Sequence, residues 1–319
     1  MEKVSFEHVI AKAQGLTAKV CAVAHPCDEV SLRCAMEAFE LGLFVPVLVG
    51  PKGRIKEVAT EHGIDISKVR LLHAPHSHAA AEAAVRLVLE GQAELLMKGS
   101  LHTDELMHAV VCTDGRGLRT ERRLTHVFIM EVPNYKELLF ITDAAINIFP
   151  DLDTKADIVQ NAIDLHLALG LGTPRVAILS AVEQVTAKIP GTIEAAALCK
   201  MADRGQITGG LLDGPLAMDN AISPEAAAIK GINSPVAGKA QILIAPDLEA
   251  GNMLAKNLSF LSSAQAAGIV LGARVPIILT SRADSSRARL TSCAVAAVYA
   301  HALDKQQHEL LAAAEVGDE

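Results

Sequence analysis

Short apolar runs alternate with longer amphipathic stretches along nearly the whole chain. KVCAVAH (19–25), VPVLVG (45–50), VRLLHA (69–74), ELLMKG (94–99), THVFIME (125–131) and ELLFITD (137–143) occupy the first half. RVAILS (175–180), ITGGLLDG (207–214), AQILIAP (240–246), GIVLG (268–272) and PIILTS (276–281) occupy the second. These runs are rich in Val, Ile and Leu and bounded by Gly, Pro or charge, which predicts strands. Residues 28–42, 77–90, 153–170, 191–203, 248–265 and 284–304 space apolar residues by three and four, which predicts helices. Asp28, Ser77, Asp153, Thr192 and Asp284 stand where N-caps are expected. This repeated β–α order predicts an α/β protein with mostly parallel sheets and helices on both faces. PNYKE, between 125–131 and 137–143, reads as a hairpin turn, so the sheet is expected to be mixed there. DLDTKAD at 151–157 opens a long helix and a second alternating set, which predicts two domains.

Composition narrows the class. Half of the 319 residues are hydrophobic, only 3% are aromatic, and there is no Trp. An apolar content made mainly of Ala, Val, Ile and Leu suits parallel strands buried under helices. The formal net charge of −8 and the lack of a basic block argue against a nucleic-acid partner. No run reaches the ~18 apolar residues of a membrane span, and the N-terminal MEKVSFEHVIAKAQ lacks an apolar signal core. A soluble, cytoplasmic protein without a membrane partner is expected. The six cysteines form no CxxC pair and match no zinc spacing, so they read as small buried hydrophobes in a reducing compartment. His73, His76 and His78 cluster in HAPHSH, but without an acid or Cys at ligand spacing no metal is expected. No GxGxxG follows the first strand, which argues against a dinucleotide site.

Candidate chemistry lies where strands end, because open α/β sheets bind ligands beyond the carboxyl ends of their strands. Lys98-Gly99-Ser100, Asp143, Asp213-Gly214-Pro215, Pro246-Asp247 and Ser281-Arg282 occupy such places. The richest segment is ILTSRADSSRARL (278–290), where a strand gives way to a helix. Helix N-terminal N–H groups attract anions there, and Arg282 can grip two phosphate oxygens in a fork. Arg287 and Arg289 fall within the next turns. In MKGSLHTDEL (97–106), Lys98 and Gly99 end a strand and His102 or Thr103 opens a helix, a junction at which Gly lets backbone approach an anion. PDLEAGN (246–252) supplies Asp247, Glu249 and Asn252; DGPLAMD (213–219) supplies Asp213 and Asp219 around a Gly-Pro turn; Lys239 stands just before a strand.

Taken together, LLMKGSLHTDEL, THVFIMEVP, FITDAAINIFPD, LLDGPLAMDNAIS, VAGKAQILIAPDLEAGN and LTSRADSSRARL resemble the phosphate acetyltransferase and phosphate butyryltransferase family, from about Lys19 to Ala302. The resemblance implies an isocitrate/isopropylmalate dehydrogenase-like subunit of two domains with an interdomain cleft. The helix over 284–304 would return to the first domain, giving domain I as 1–147 with 269–319 and domain II as 148–268. It implies a homodimer or higher homo-oligomer that transfers an acetyl or other short acyl group reversibly between coenzyme A and inorganic phosphate. Coenzyme A would be substrate and product, with no permanently bound cofactor. The family's serine–arginine pair falls on Ser281 and Arg282. Ala283 replaces a Gly common in acetyl-specific members, Ala288 occupies the place of their carboxylate, and Asp284 is the nearest acid to act as base. Lys98, Gly99, Asp213, Lys239, Asn252 and Arg287 are the expected substrate-binding residues. Cys112 or Cys293 as nucleophile is a rival route. Rival functions are a phosphate butyryltransferase, a long-chain phosphate acyltransferase, a metal-dependent dehydrogenase recruiting Asp213 and Asp219, and a non-catalytic acyl-CoA-binding protein.

Overall fold

The computed structural model describes residues 4–280 and 284–317, with side chains through residue 305. Contacts divide the chain into two units. One takes residues 7–121 and the chain from Gly272 onward; the other takes Arg122–Leu271. The hairpin strands over 125–143, which the sequence grouped with the first domain, fall with the latter.

The first unit contains α1 (Phe6–Gln14, its first residue grouped with the other unit), β1 (Lys19–Ala24), α2 (Glu29–Glu40), β2 (Phe44–Gly50), α3 (Lys52–Glu61), β3 (Arg70–His73), α4 (Ser77–Leu89), β4 (Leu95–Lys98) and α5 (Thr103–Val111). The second carries β5 (Thr125–Glu131), β6 (Leu139–Thr142), α6 (Leu152–Ala168), β7 (Arg175–Leu179), α7 (Pro190–Asp203), β8 (Leu211–Leu216), α8 (Met218–Ile222), α9 (Pro224–Ile229), β9 (Ile242–Ile244), α10 (Leu248–Leu261) and β10 (Gln265–Leu271). The chain then returns to the first unit as β11 (Ile277–Ile278) and α11 (Ser286–Gly317).

Strands of the first unit lie in the order β3-β2-β1-β4-β11, every pair parallel. The central strand shows why: Cys21, Ala22, Val23 and Ala24 are all buried, as a strand covered on both faces requires. Alanines let the neighbouring helix approach closely; Ala80, Ala81 and Ala84 of α4 are buried against the sheet. Asp28 caps α2, its Oδ1 accepting from the Ser31 N–H at 2.8 Å. The Cys293–Ala300 stretch of α11 is buried all round, and Cys293 Sγ lies 4.0 Å from Cys34 Sγ of α2.

Strands of the second unit lie in the order β10-β5-β6-β9-β7-β8. β5 runs against both its neighbours, and the other pairs are parallel. The hairpin expected at PNYKE is therefore present, and Tyr135 pins it by donating from its hydroxyl to the Ala240 carbonyl at 2.5 Å. Because β5 alone is reversed, its first residues lie beside the carboxyl ends of the parallel strands.

Several sequence expectations shift. DGPLAMD is not a turn after a strand, because β8 runs through Leu216. β8 is an edge strand, where Pro215 removes no needed ladder donor. Gly214 is required there, since an added Cβ would lie 2.7 Å from Ile178 Cβ. Helix starts move by one or two residues. His76, not Ser77, caps α4; Asp151, not Asp153, caps α6; α7 begins at Pro190, before Thr192. The Ala288 N–H donates to Ser285 Oγ at 3.1 Å, so Ser285 rather than Asp284 caps α11.

Candidate active site

The carboxyl ends of β1 and β4 meet through backbone. Gly99 N–H donates to the Ala24 carbonyl at 2.9 Å and Ser100 N–H to the His25 carbonyl at 2.9 Å. A Cβ on Gly99 would lie 2.4 Å from Ala24 O and 2.5 Å from His25 O, so only glycine permits this approach. Ser100 Oγ donates to His25 O at 2.8 Å and accepts from the Cys27 N–H at 3.2 Å. With its proton committed to that carbonyl, Oγ faces His25 Nδ1 at 3.1 Å as an acceptor, which places the ring proton on Nδ1. Burial lowers the pKa of His25 against the opposing charges of Glu105 and Asp28. His25 itself holds a left-handed backbone, φ 55°. Lys98 is buried at the end of β4, its ammonium donating to the carbonyls of Gly99 at 3.2 Å and Leu101 at 3.1 Å. A cation is thus held within the turn that leads into α5.

Glu105 ties the starts of two helices to this edge. Its carboxylate accepts from His102 N–H at 3.1 Å and Ser77 Oγ at 3.0 Å, and lies 3.2 Å from His78 Nε2. Burial pushes its pKa up, but these bonds outweigh it and the carboxyl stays below its ordinary range. His76 Nδ1 accepts from Ala79 N–H at 3.2 Å. His76 and His78 therefore serve the start of α4, while His73 ends β3. Among the described residues no three His, Cys, Asp or Glu side chains stand together as a metal site.

β11 pairs with β4 in the register Ile278↔Met97, carrying the chain toward the Lys98–Gly99 end. Ser281 and Arg282 follow directly but lie outside the described residues. Asp284 is half-buried and its carbonyl accepts from Arg289 Nη1 at 2.6 Å, while Arg289 Nε is buried without a hydrogen-bond partner among the described residues. Arg287 turns away, pairing with Glu7 of α1.

In the other unit the segment after β6 is clamped from several sides. Asp143, 2% exposed, accepts from the N–H groups of Ala145 (2.9 Å), Ile146 (3.1 Å) and Asn147 (3.3 Å) and from Asn147 Nδ2 (2.6 Å). Asn252 on α10 donates from Nδ2 to Ala144 O at 2.9 Å, and Gly251 beside it leaves room for Asp143 O, 2.4 Å from where a Cβ would stand. Asp247 caps the same helix through Ala250 N–H at 2.8 Å. His126, on the reversed β5, is buried with Nδ1 without a hydrogen-bond partner among the described residues, and burial lowers its pKa to about 4 against the charge of Asp143. Above the ends of β7 and β9 lies a cavity of about 210 Å3 lined by Leu179, Ser180, Met218, Pro246, Ala250 and Leu254 among others.

The remaining candidates are not drawn together. Asp213 sits within β8, its Oδ1 accepting from Gly214 N–H at 2.8 Å and its charge helping burial raise the nearby Cys199 thiol to about 12. Lys239 is exposed before β9, the opposite end from Asn252, and its carbonyl accepts from Arg175 Nε at 2.7 Å. Cys293 is fully buried, and its hydrogen bond with Cys34, together with burial, raises its pKa well above a reactive thiol's. Ser100 and Asp143 stand out in the sequence by their place after a strand, without a role assigned to them, whereas His25 and His126 are residues of these edges that the sequence reading missed. His25 ends a central strand and satisfies the same strand-end rule that singled out Lys98.

The sequence pattern of the family described as Phosphate acetyl/butaryl transferase matches residues 77–297. A phosphate acetyltransferase of Rhizobium meliloti is 68% identical over 92% of this chain and 93% of its own length. A phosphate butyryltransferase of Clostridium acetobutylicum is 40% identical over 93% of this chain and 98% of its own. Among solved structures, a branched-chain phosphotransacylase from Enterococcus faecalis superposes with a TM-score of 0.78 at 29% identity, over 89% of this chain and 99% of that one. With a match over most of its length and relatives this close, the chain belongs to the phosphate acetyl/butyryl transferase family.

Proposed function

We propose that the protein transfers an acetyl group reversibly between coenzyme A and inorganic phosphate, acetyl-CoA plus phosphate giving acetyl phosphate plus CoA. The single observation that carries this reading is the chain-length identity to a phosphate acetyltransferase. The paired ends of β1 and β4, with a buried cation beside a backbone that only glycine allows, suit the anionic nucleophile it needs.

In this reading a phosphate oxygen attacks the thioester carbonyl, the C–S bond breaks, and the CoA sulfur leaves to take up a proton. Holding both substrates together suffices, and no acyl-enzyme forms. Arg282 binds the phosphate oxygens in its planar fork. Ser281 donates to the developing oxyanion or leaving sulfur, an interaction worth about 2.7–4 kcal/mol in the transition state. Asp284 takes the proton from phosphate. Lys98 and Gly99 line the anion's side of the site, and Asn252 holds the 144–147 turn in the other unit. Arg287, Asp213 and Lys239 are left outside, given their contacts above. The proposal includes an isocitrate dehydrogenase-like, two-domain subunit working as a cytoplasmic homodimer with CoA as substrate and no resident cofactor.

The test is thiol release from acetyl-CoA with and without phosphate, with acetyl phosphate trapped as its hydroxamate. Release that requires phosphate and yields equal hydroxamate is expected. Release without phosphate, or none at all, would overturn the reading.

A further inference from the structure

The cavity over β7 and β9 has a composition that decides what it can hold. Leu179 at the end of β7 and the α10 residues Ala250 and Leu254 form apolar walls, with Met218 at the start of α8 and Pro246 after β9 completing the lining of a cavity that opens to solvent on one side. Among the described residues that line it, Ser180 contributes the only side-chain hydroxyl and none carries a charge. Phosphate, or the diphosphate of CoA, would lose its hydration there without compensation. An apolar group gains by entering. The cavity also occupies the carboxyl ends of parallel strands, where sheets of this kind take ligands. Its volume of about 210 Å3 is several times the roughly 30 Å3 share of one water molecule. It therefore has room for a chain of several carbons rather than a single methyl group.

We propose that this cavity is the acyl pocket, and that Met218 and Leu254 set the longest acyl chain the enzyme transfers while the small Ala250 leaves the space that butyryl needs. The assignment rests on the acyl transfer proposed above and extends it to substrate range. Met218 and Leu254 are half-buried and pack on the core cluster containing Leu179, so their side chains are held in place as walls. Discrimination by an apolar slot is worth about 10- to 200-fold per methylene gained or excluded. Acyl preference is thus within reach of one side chain.

The experiment measures kcat/KM for acetyl-, butyryl- and hexanoyl-CoA with phosphate in wild type, Ala250→Leu, Met218→Ala and Leu254→Ala, each checked for a cooperative melt. Ala250→Leu is expected to lower the butyryl-to-acetyl ratio about tenfold or more. Met218→Ala and Leu254→Ala are expected to raise the hexanoyl-to-butyryl ratio by a similar factor. Should any of these fail to fold, Ala250→Val and Met218→Leu carry the same comparison with smaller volume changes and smaller shifts in the same directions. Ratios within twofold of wild type across the folded variants would overturn the assignment. So would equal losses for every acyl-CoA that vanish when acyl-phosphopantetheine replaces it, which would put the adenosine end in the cavity. A wild type that releases no thiol from any acyl-CoA defeats the proposed activity itself, a distinct result that removes the pocket with it.

Discussion

Gly99 and Gly53 make opposite demands on a methyl group. At Gly99 an added Cβ would press within 2.4–2.5 Å of two carbonyl oxygens of β1, whereas Gly53, inside α3, has nothing within 4 Å. Gly99→Ala is expected to lower the melting temperature and acyl transfer together. Gly53→Ala, in the first turn of α3, should raise stability by about 0.4–1 kcal/mol by narrowing the freedom of the unfolded chain, with activity retained; urea titration and thiol release read both. Asp143 is the other residue whose surroundings fix its identity. Asn would turn an amide NH2 toward donors that now meet carboxylate oxygen, so Asp143→Asn should cost about 1.5–3 kcal/mol. Equal urea midpoints for variant and wild type would contradict this. Neither glycine nor carboxylate role was fully legible in the sequence. Lys98-Gly99 and Asp143 stood out by position after a strand, but Ala24 and His25, whose carbonyls make Gly99 obligatory, lie about 75 residues earlier and only the fold brings them near.

At the level of elements, two buried histidines set a pH window. His166 of α6 lies 3.0 Å from the Gly172 carbonyl through Nδ1, so its proton sits there and charging must occur at Nε2. Burial lowers the pKa of His166 to about 4, as it does for His126 of β5. Both folded values lie below the ordinary 6.5 of an unfolded chain, so between pH 6.5 and 4 the unfolded state binds more protons. Their contribution is full above pH 6.5 and is lost as pH falls toward 4. For His166 the loss is on the order of 3 kcal/mol. Urea midpoints should fall across this window in wild type and fall less in His166→Gln; an identical slope would contradict the assignment. Elements with a clean period and cap were readable in advance, α2 behind Asp28 among them. Misreadings arose where punctuation residues do structural work inside an element. Gly214 and Pro215 look like a turn but lie in an edge strand, and Pro51 with Gly53 hid the start of α3.

For the molecule as a whole, the alternation of Val/Ile/Leu runs with amphipathic stretches was enough to fix an α/β fold of mostly parallel strands. The reversed β5 was legible too, because five turn residues are too few for the crossover a parallel pair requires. The chemistry reads less directly, since each strand end is commonplace alone and only six together point to acyl transfer. Arg282→Ala is expected to reduce kcat/KM about 100-fold or more, and Arg282→Lys to fall between it and wild type because the planar fork is lost. The most direct test of phosphate as the attacking group follows isotope from labelled CoA into acetyl-CoA in the presence and absence of phosphate. If phosphate attacks the thioester itself, label enters acetyl-CoA only when phosphate is present and Arg282 is intact. Exchange at an undiminished rate without phosphate would demand an acyl-enzyme and contradict direct attack.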